Sequence, residues 1–239
     1  MVFIIEGAVI VIAAAAAIFL WTYTYALTGT VADIATHYPL ANVLVRFAGH
    51  SSTSDQSGKF RVAGIKLWER NSQLQAQAPR GYEPIPSVKP AFGGARIANV
   101  NLTAEPTLKS LAQQLGEASI NHQYDYEWIF MHPDSKSYWG NMDTYSRDLK
   151  KRDEIINGLN ITAKSVSIGA NIRKLDTWTD PLTGKTYHDV MEVPLTEVEV
   201  TEGREQPQTT LDYYQRVNGY YHFFTSVDKS TLEAALTAA

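Results

Sequence analysis

Residues 41–64 read ANVLVRFAGHSSTSDQSGKFRVAG, and their pattern sets the character of the first half of the chain. Val43, Val45 and Phe47 alternate with other neighbours, the period-2 pattern of a strand that buries one face. Ser54-Asp55-Gln56-Ser57-Gly58 then reads as a turn, because Asp can hydrogen-bond its own backbone and Gly supplies positive φ. Phe60 and Val62 resume the alternation and Gly64 closes it. Further along, Gln73 to Ala78 alternates until Pro79 and Gly81 break it, and Pro84, Pro86 and Pro90 stiffen a loop. Ile97 to Thr103 offers a last strand before Pro106. Short strands at this spacing, with no convincing helix, predict a small antiparallel sandwich.

The pattern changes after Pro106. Leu108, Leu111, Ala112, Leu115 and Ala118 recur at helical spacing behind Thr107, a suitable N-cap. The aromatic-rich stretch Tyr124 to Met131 continues as a second helical piece. His132-Pro133 interrupts it, since Pro drives the preceding residue out of the helical region. Asp143 is read as the cap of a helix running through Lys151. From Leu159 onward the chain reads as strands: 159–169, 171–179, 186–193, 195–201, 209–216 and 220–226. Helices first and strands afterwards predict an α+β unit with an antiparallel sheet over 107–228, followed by a tail at 229–239.

Working back to the N-terminus, only Glu6 is charged within the first 27 residues, and the first cation is Arg46. An apolar stretch from Val2 to Leu27 is long enough, at ~1.5 Å per residue, to cross a ~30 Å hydrocarbon layer. Trp21, Tyr23 and Tyr25 would sit at its headgroup end. A cleaved signal would start with a basic region, which is missing here. The expectation is therefore a retained transmembrane helix over 1–27, with the lipid bilayer contacted through residues 2–27.

Three resemblances bear on these segments. Leu27-Thr-Gly-Thr-Val-Ala-Asp33, Pro39-Leu-Ala-Asn-Val-Leu-Val45, Ser54 through Gly64 and Ala78-Pro-Arg-Gly-Tyr82 together resemble the carboxypeptidase regulatory-like domain, a transthyretin-like sandwich. That resemblance covers 28–106 and implies a structural or adhesive spacer with no peptidase activity. Such modules usually stand outside the cytoplasm, which implies a cytoplasmic N-terminus and periplasmic or extracellular C-terminal domains. The region 107–228, with His132-Pro-Asp-Ser-Lys136, Trp178 through Tyr187 and Asn218-Gly-Tyr-Tyr-His-Phe-Phe224, resembles the NTF2-like cone. That fold often encloses an apolar pocket between helices and sheet. The apolar start with Glu6, the fifth residue if Val2 is the mature terminus, resembles type IV pilins in outline.

Few catalytic chemistries have support. With 21 basic and 25 acidic residues the formal charge is −4, which points to no nucleic-acid partner. The absence of cysteine removes disulfides, thiolate metal sites and a thiol nucleophile. Leu182-Thr-Gly-Lys-Thr186 lacks the first Gly of a phosphate loop and reads as a hairpin turn. The six histidines show no metal-ligand spacing, and no hydrolase elbow occurs. What stands out is the wealth of Tyr and Trp, which suits a core, an interface or a pocket. Trp139, Trp178, Tyr214 and His222 are the candidate partner or pocket contacts.

The expected fold class is thus membrane-anchored and multidomain: one N-terminal transmembrane helix, an all-β sandwich, then an α+β cone with a curved antiparallel sheet. The expected function is non-catalytic binding without a cofactor, as an accessory subunit of a larger membrane complex such as a respiratory or photosynthetic one. A small-molecule or enzymatic pocket in the second unit is the alternative, and a pilin-like filament subunit is the third reading.

Overall fold

A computed structural model describes residues 23–238 of the chain. It divides into two compact units, with the boundary between Pro106 and Thr107.

The first unit holds two three-stranded sheets. One is ordered β4 (Lys59–Ile65), β1 (Tyr25–Asp33), β6 (Ile97–Ala104); the other is β3 (His50–Thr53), β2 (Leu44–Phe47), β5 (Leu74–Ala76). Leu27, Val31, Val43, Val45, Phe47, Phe60, Val62 and Ile65 fill one shared core. The Ser54–Gly58 turn forms because the Asp55 carboxylate accepts from the amides of Ser57 and Lys59, at 2.8 and 2.9 Å. Gly58 takes a φ of +73°.

Three sequence-based expectations are corrected here. First, the expected membrane-anchored fold class does not hold: the chain is mostly β, with five α-helices among the described residues. None of those helices is long and apolar enough to cross a membrane. The expected transmembrane helix over 1–27 lies largely outside the described residues, as do Trp21 and Glu6. Its last three residues, Tyr25, Ala26 and Leu27, instead open β1 and are all buried in the sandwich. Apolar residues that follow one another are equally suited to lipid and to the interior of a sandwich, and here strand pairing takes them. Second, Tyr25 faces the core against Phe92 rather than a membrane interface, with ring centroids 5.7 Å apart; Tyr23 packs edge-on against Tyr25 at 5.3 Å. Third, the sandwich is not wholly antiparallel. β1 pairs antiparallel with β4 but parallel with β6, from Ala26↔Ile97 to Asp33↔Ala104.

That parallel pairing depends on a glycine. A Cβ on Gly29 would stand 1.8 Å from the Val100 carbonyl oxygen and 2.8 Å from the Phe60 ring. Gly29→Ala must therefore push β6 or Phe60 aside. Overpacking of this kind costs about 1–3 kcal/mol or more, and the sandwich's urea midpoint should fall accordingly. An unchanged midpoint would show that the strands are not this close.

The second unit begins with four helices: α1 (Leu108–Ile120), α2 (Tyr124–Phe130), α3 (Pro133–Trp139) and α4 (Met142–Gly158). Thr107 caps α1 by accepting from the Ser110 amide at 3.3 Å. Asn141, not Asp143, caps α4 by accepting from the Thr144 amide at 2.8 Å. The chain breaks between α2 and α3 at Met131–His132, where the His132 amide donates to the Phe223 carbonyl at 2.7 Å.

A five-stranded antiparallel sheet follows, built on β9 (Thr186–Thr201). One edge of β9 pairs with β7 (Ile161–Ile168) and β8 (Arg173–Thr179). The other pairs with β10 (Arg204–Val217), which carries β11 (Tyr220–Phe224). The sequence splits β9 at Pro194, yet the strand runs through it. The pairing of β7 ends at Leu195 and that of β8 at Glu192, so Pro194 falls in the gap between them. Its carbonyl accepts from Gly169 on that side. In an antiparallel ladder N–H and C=O of one residue point the same way, so the missing N–H costs no ladder bond.

Within the stretch 229–239, expected as a C-terminal tail, the chain forms α5 (Lys229–Ala238). Its start is tied down by the Asp228 carboxylate, which accepts from Ser230 and Thr231, and Leu232 is buried in the helical core. Leu232 is the residue of this helix shown to pack into that core.

Candidate functional site

Strand alternation sorts the sheet's residues onto two faces. Thr210, Asp212 and Tyr214 of β10 share one face with Leu195 and Glu197 of β9. Tyr213 lies on the other. Against the first face α1 approaches closely at Gly116, where a Cβ would meet Val166 at 2.7 Å and Leu195 at 3.1 Å. Together with α2 and α4 this lines a partly open cavity of about 230 Å³. Leu115, Leu149, Phe223 and Val227 supply apolar wall, while Glu127, Arg152, Glu197, Asp212, Tyr145 and Tyr214 supply polar groups.

The carboxyl groups are the notable part. Glu127 sits on the buried stripe of α2 with Tyr124 and Phe130. Burial pushes its carboxyl above the ordinary range, although the Tyr145 hydroxyl donates to it and Arg152 opposes the shift. Asp212 is pushed up to about 6, again chiefly by burial, with Tyr214 acting the other way and Glu197 adding a little. The Tyr214 hydroxyl, itself fully buried, makes no hydrogen bond of good geometry in the structure. Glu197 is raised by burial and then by the charge of Glu199. Arg152 is turned away to Asp153, with its Nε at 2.9 Å and a terminal nitrogen at 2.7 Å. Asp153 also accepts from Tyr124 and pairs with His122 at 2.7 Å. Three raised carboxyls, with a buried hydroxyl beside Asp212 that lacks a well-formed hydrogen bond, share this one cavity, a pattern found at ligand sites.

The four residues singled out from the sequence are scattered. Tyr214 lines the cavity. Trp139 is only 1% exposed, packed edge-on against Tyr145 at 5.1 Å in the helical core, so it cannot meet a partner. Trp178 lies on the opposite sheet face, stacked on Tyr213 at 4.4 Å and packed on Phe224 at 4.8 Å. His222 is on that face too, since it pairs with Gln215, two residues beyond Tyr213. Its Nδ1 is buried without a hydrogen bond, and burial lowers its basicity. Near it His132 stacks on Phe224 at 4.2 Å. The His132 Nδ1 accepts from the Asp134 amide, so the Nε2–H donates to Gln215 at 3.0 Å.

Sequence reasoning missed Glu127, Asp212, Glu197 and Arg152. A signal existed in part. Thr210, Asp212 and Tyr214 place polar groups at every second strand position, and Glu127 interrupts the apolar stripe of α2. Neither pattern says that the two meet.

No family model matches the chain, and no curated protein matches it, so the resemblances drawn above rest on the residues quoted for them. Among the solved structures with distant similarity are two of different kinds. One is a Bacteroides fragilis protein of unknown function, described provisionally as membrane-associated: 10% identity, TM-score 0.28, covering 84% of this chain and 93% of that one. The other is a 9R-lipoxygenase from Cyanothece PCC8801: 13% identity, TM-score 0.27, covering 90% of this chain and 44% of that one. Likeness at this level carries no argument about fold or activity.

Proposed function

We propose that this protein works by binding, and that its α+β unit takes a small molecule bearing hydrogen-bond donors in the acid-lined cavity. The observation that carries this reading is the enclosure of Glu127, Asp212 and Tyr214 around one space. Glu127 already accepts from Tyr145, and carboxyl groups raised by burial gain from each further donor, which an amine or a polyol would supply. A cavity of about 230 Å³ is smaller than the ~300–1,000 Å³ of drug-sized sites, so the ligand is small. An amine would in addition hold Asp212 ionised.

The test is saturable stabilisation by a panel of small amines and polyols, followed by thermal melting. Wild-type protein should be stabilised by at least one member. Thr210→Trp, which places bulk at the exposed rim of the cavity, should abolish that response with its own melt unchanged. A panel without effect, or a response that survives Thr210→Trp, would overturn the reading.

The composition of residues 2–22, with Glu6 as the one charge, supports placing the protein at a membrane, and the resemblance of 28–106 to the carboxypeptidase regulatory-like domain supports placing the two units outside the cytoplasm. A second reading, as an accessory subunit of a membrane complex, draws on the half-buried Trp178–Tyr213 stack and the exposed Leu211 on β10. A stoichiometric subunit co-purifying in mild detergent would support it.

A further inference from the structure

β1 and β6 run parallel, so the chain enters the sandwich at one end and leaves it at the other. The entry end is unusual. Beyond Ile65, which pairs with Tyr25, a 3₁₀ turn at Leu67–Glu69 presents Leu67 at 41% and Trp68 at 60% exposure. On the other side of β1, Ile97, which pairs with Ala26, is 51% exposed. Arg70 donates to the Gly93 carbonyl, and the Arg96 guanidinium lies 3.9 Å from the centre of the Tyr23 ring. These contacts tie the 3₁₀ turn, the loop before β6 and the incoming chain into one surface.

Charge is distributed to match. Among the described residues the entry end carries Lys66, Arg70 and Arg96 against a single carboxylate, Glu69, which is held by His50 at 3.1 Å. The exit end gathers Asp33, Asp55, Glu83 and Glu105, with Lys59 and Arg80 as its cations. Tyr38, the other strongly exposed large apolar side chain of this unit, is also at the exit end, where its carbonyl accepts from Asp33.

We propose that the entry end of the sandwich rests on an anionic lipid surface, with Trp68, Leu67 and Ile97 entering the headgroup region and the surrounding cations meeting lipid phosphates. The occupant is argued from the chain itself. Residues 2–21 are apolar apart from Glu6, and the chain that follows them joins the sandwich at Tyr23, which packs on Tyr25, the partner of Ile65, and lies under Arg96, the neighbour of Ile97. The apolar stretch before Tyr23 is thus joined to the end of the sandwich that carries Trp68. An indole with aliphatic neighbours and a cationic rim is the composition that partitions at a bilayer interface. This inference rests on the membrane placement above and is independent of the cavity.

The chain has no cysteine, so a single one can report a single position. Full-length protein carrying Trp68→Cys, Ile97→Cys or, as reference, Tyr38→Cys is labelled with an environment-sensitive fluorophore and reconstituted into phosphatidylglycerol-containing vesicles. Labels at 68 and 97 should shift to the blue and be quenched by nitroxide-bearing lipids, while the label at 38 stays water-exposed. Circular dichroism establishes that each variant is folded. Protein that does not float with vesicles would overturn the membrane placement itself. Floating protein whose labels at 68 and 97 stay as wet as that at 38 would overturn this surface alone. Labels that are dry but insensitive to lipid quencher would assign the surface to a protein partner, and that too overturns the proposal.

Discussion

Trp139→Ala should destabilise the α+β unit by about 3–5 kcal/mol, the range for truncating a buried large aromatic residue, and should leave the sandwich's own transition in place. The indole is 1% exposed and shares a core with Tyr124, Met131, Tyr145, Leu149 and Leu232. Its removal therefore leaves a void between α3 and α4 and loosens the seat of α5. The Trp139 Nε1–H has no hydrogen-bond partner, so the side chain contributes area and shape but no hydrogen bond. Trp139→Phe should accordingly lose far less, because it keeps an aromatic ring and drops an unsatisfied donor. Chemical denaturation followed by near-ultraviolet circular dichroism separates the cases. A Trp139→Ala protein as stable as wild type would mean that the indole is not in the core.

Asp212→Asn should act in the opposite direction and only above acidic pH. The ordinary aspartate value is 3.8, and in the folded protein it rises to about 6 because burial penalises the charge. Between those values the folded state binds more protons than the unfolded one. Stability contributed by this group is therefore greatest below about pH 4, falls as pH rises to about 6, and stays lowered beyond. A gap of about 2 units corresponds to about 3 kcal/mol, as an upper figure. Asn carries no charge at any pH, so the variant should be more stable than wild type at about pH 8 and equal to it at about pH 4. Glu127 and Glu197, both raised by burial, shift the wild-type profile the same way. A group that lowers stability in the unliganded protein is what a binding site retains when the ligand offsets the cost. An Asp212→Asn protein less stable than wild type at both pH values would show that the carboxylate is satisfied within the fold, and the cavity would lose its claim to a ligand.

The local patterns in the sequence were sufficient for the elements that depend on near neighbours. Val43, Val45 and Phe47 mark β2, the Ser54–Gly58 turn leads into Phe60 and Val62 of β4, Thr107 starts α1, and His132-Pro133 separates α2 from α3. In each case the deciding interaction spans a few residues: a side chain capping an amide, a proline excluding a backbone conformation, a glycine accepting positive φ. Periodicity also reports which side of an element is apolar, but it does not report what covers that side. Tyr25-Ala-Leu27 is the case in point: the same apolar residues could have ended a membrane helix, and it is pairing with Ile65 and with Ile97, both far along the chain, that makes them a strand. Pro194 likewise breaks a strand on local grounds, and only the gap between β7 and β8 lets β9 pass through it.

The candidate site lies mostly on the tertiary side of this division, Tyr214 being the one of its residues singled out from the sequence. Glu127 comes from a helix and Asp212 from a strand, far apart in sequence, and neither has a motif around it. The raised affinity of each for its proton follows from burial, which exists only after α1, α2 and α4 close over β9 and β10. A residue's identity sets what it can donate or accept; the dielectric around it, and hence its chemistry, is set by parts of the chain that its own neighbourhood does not contain.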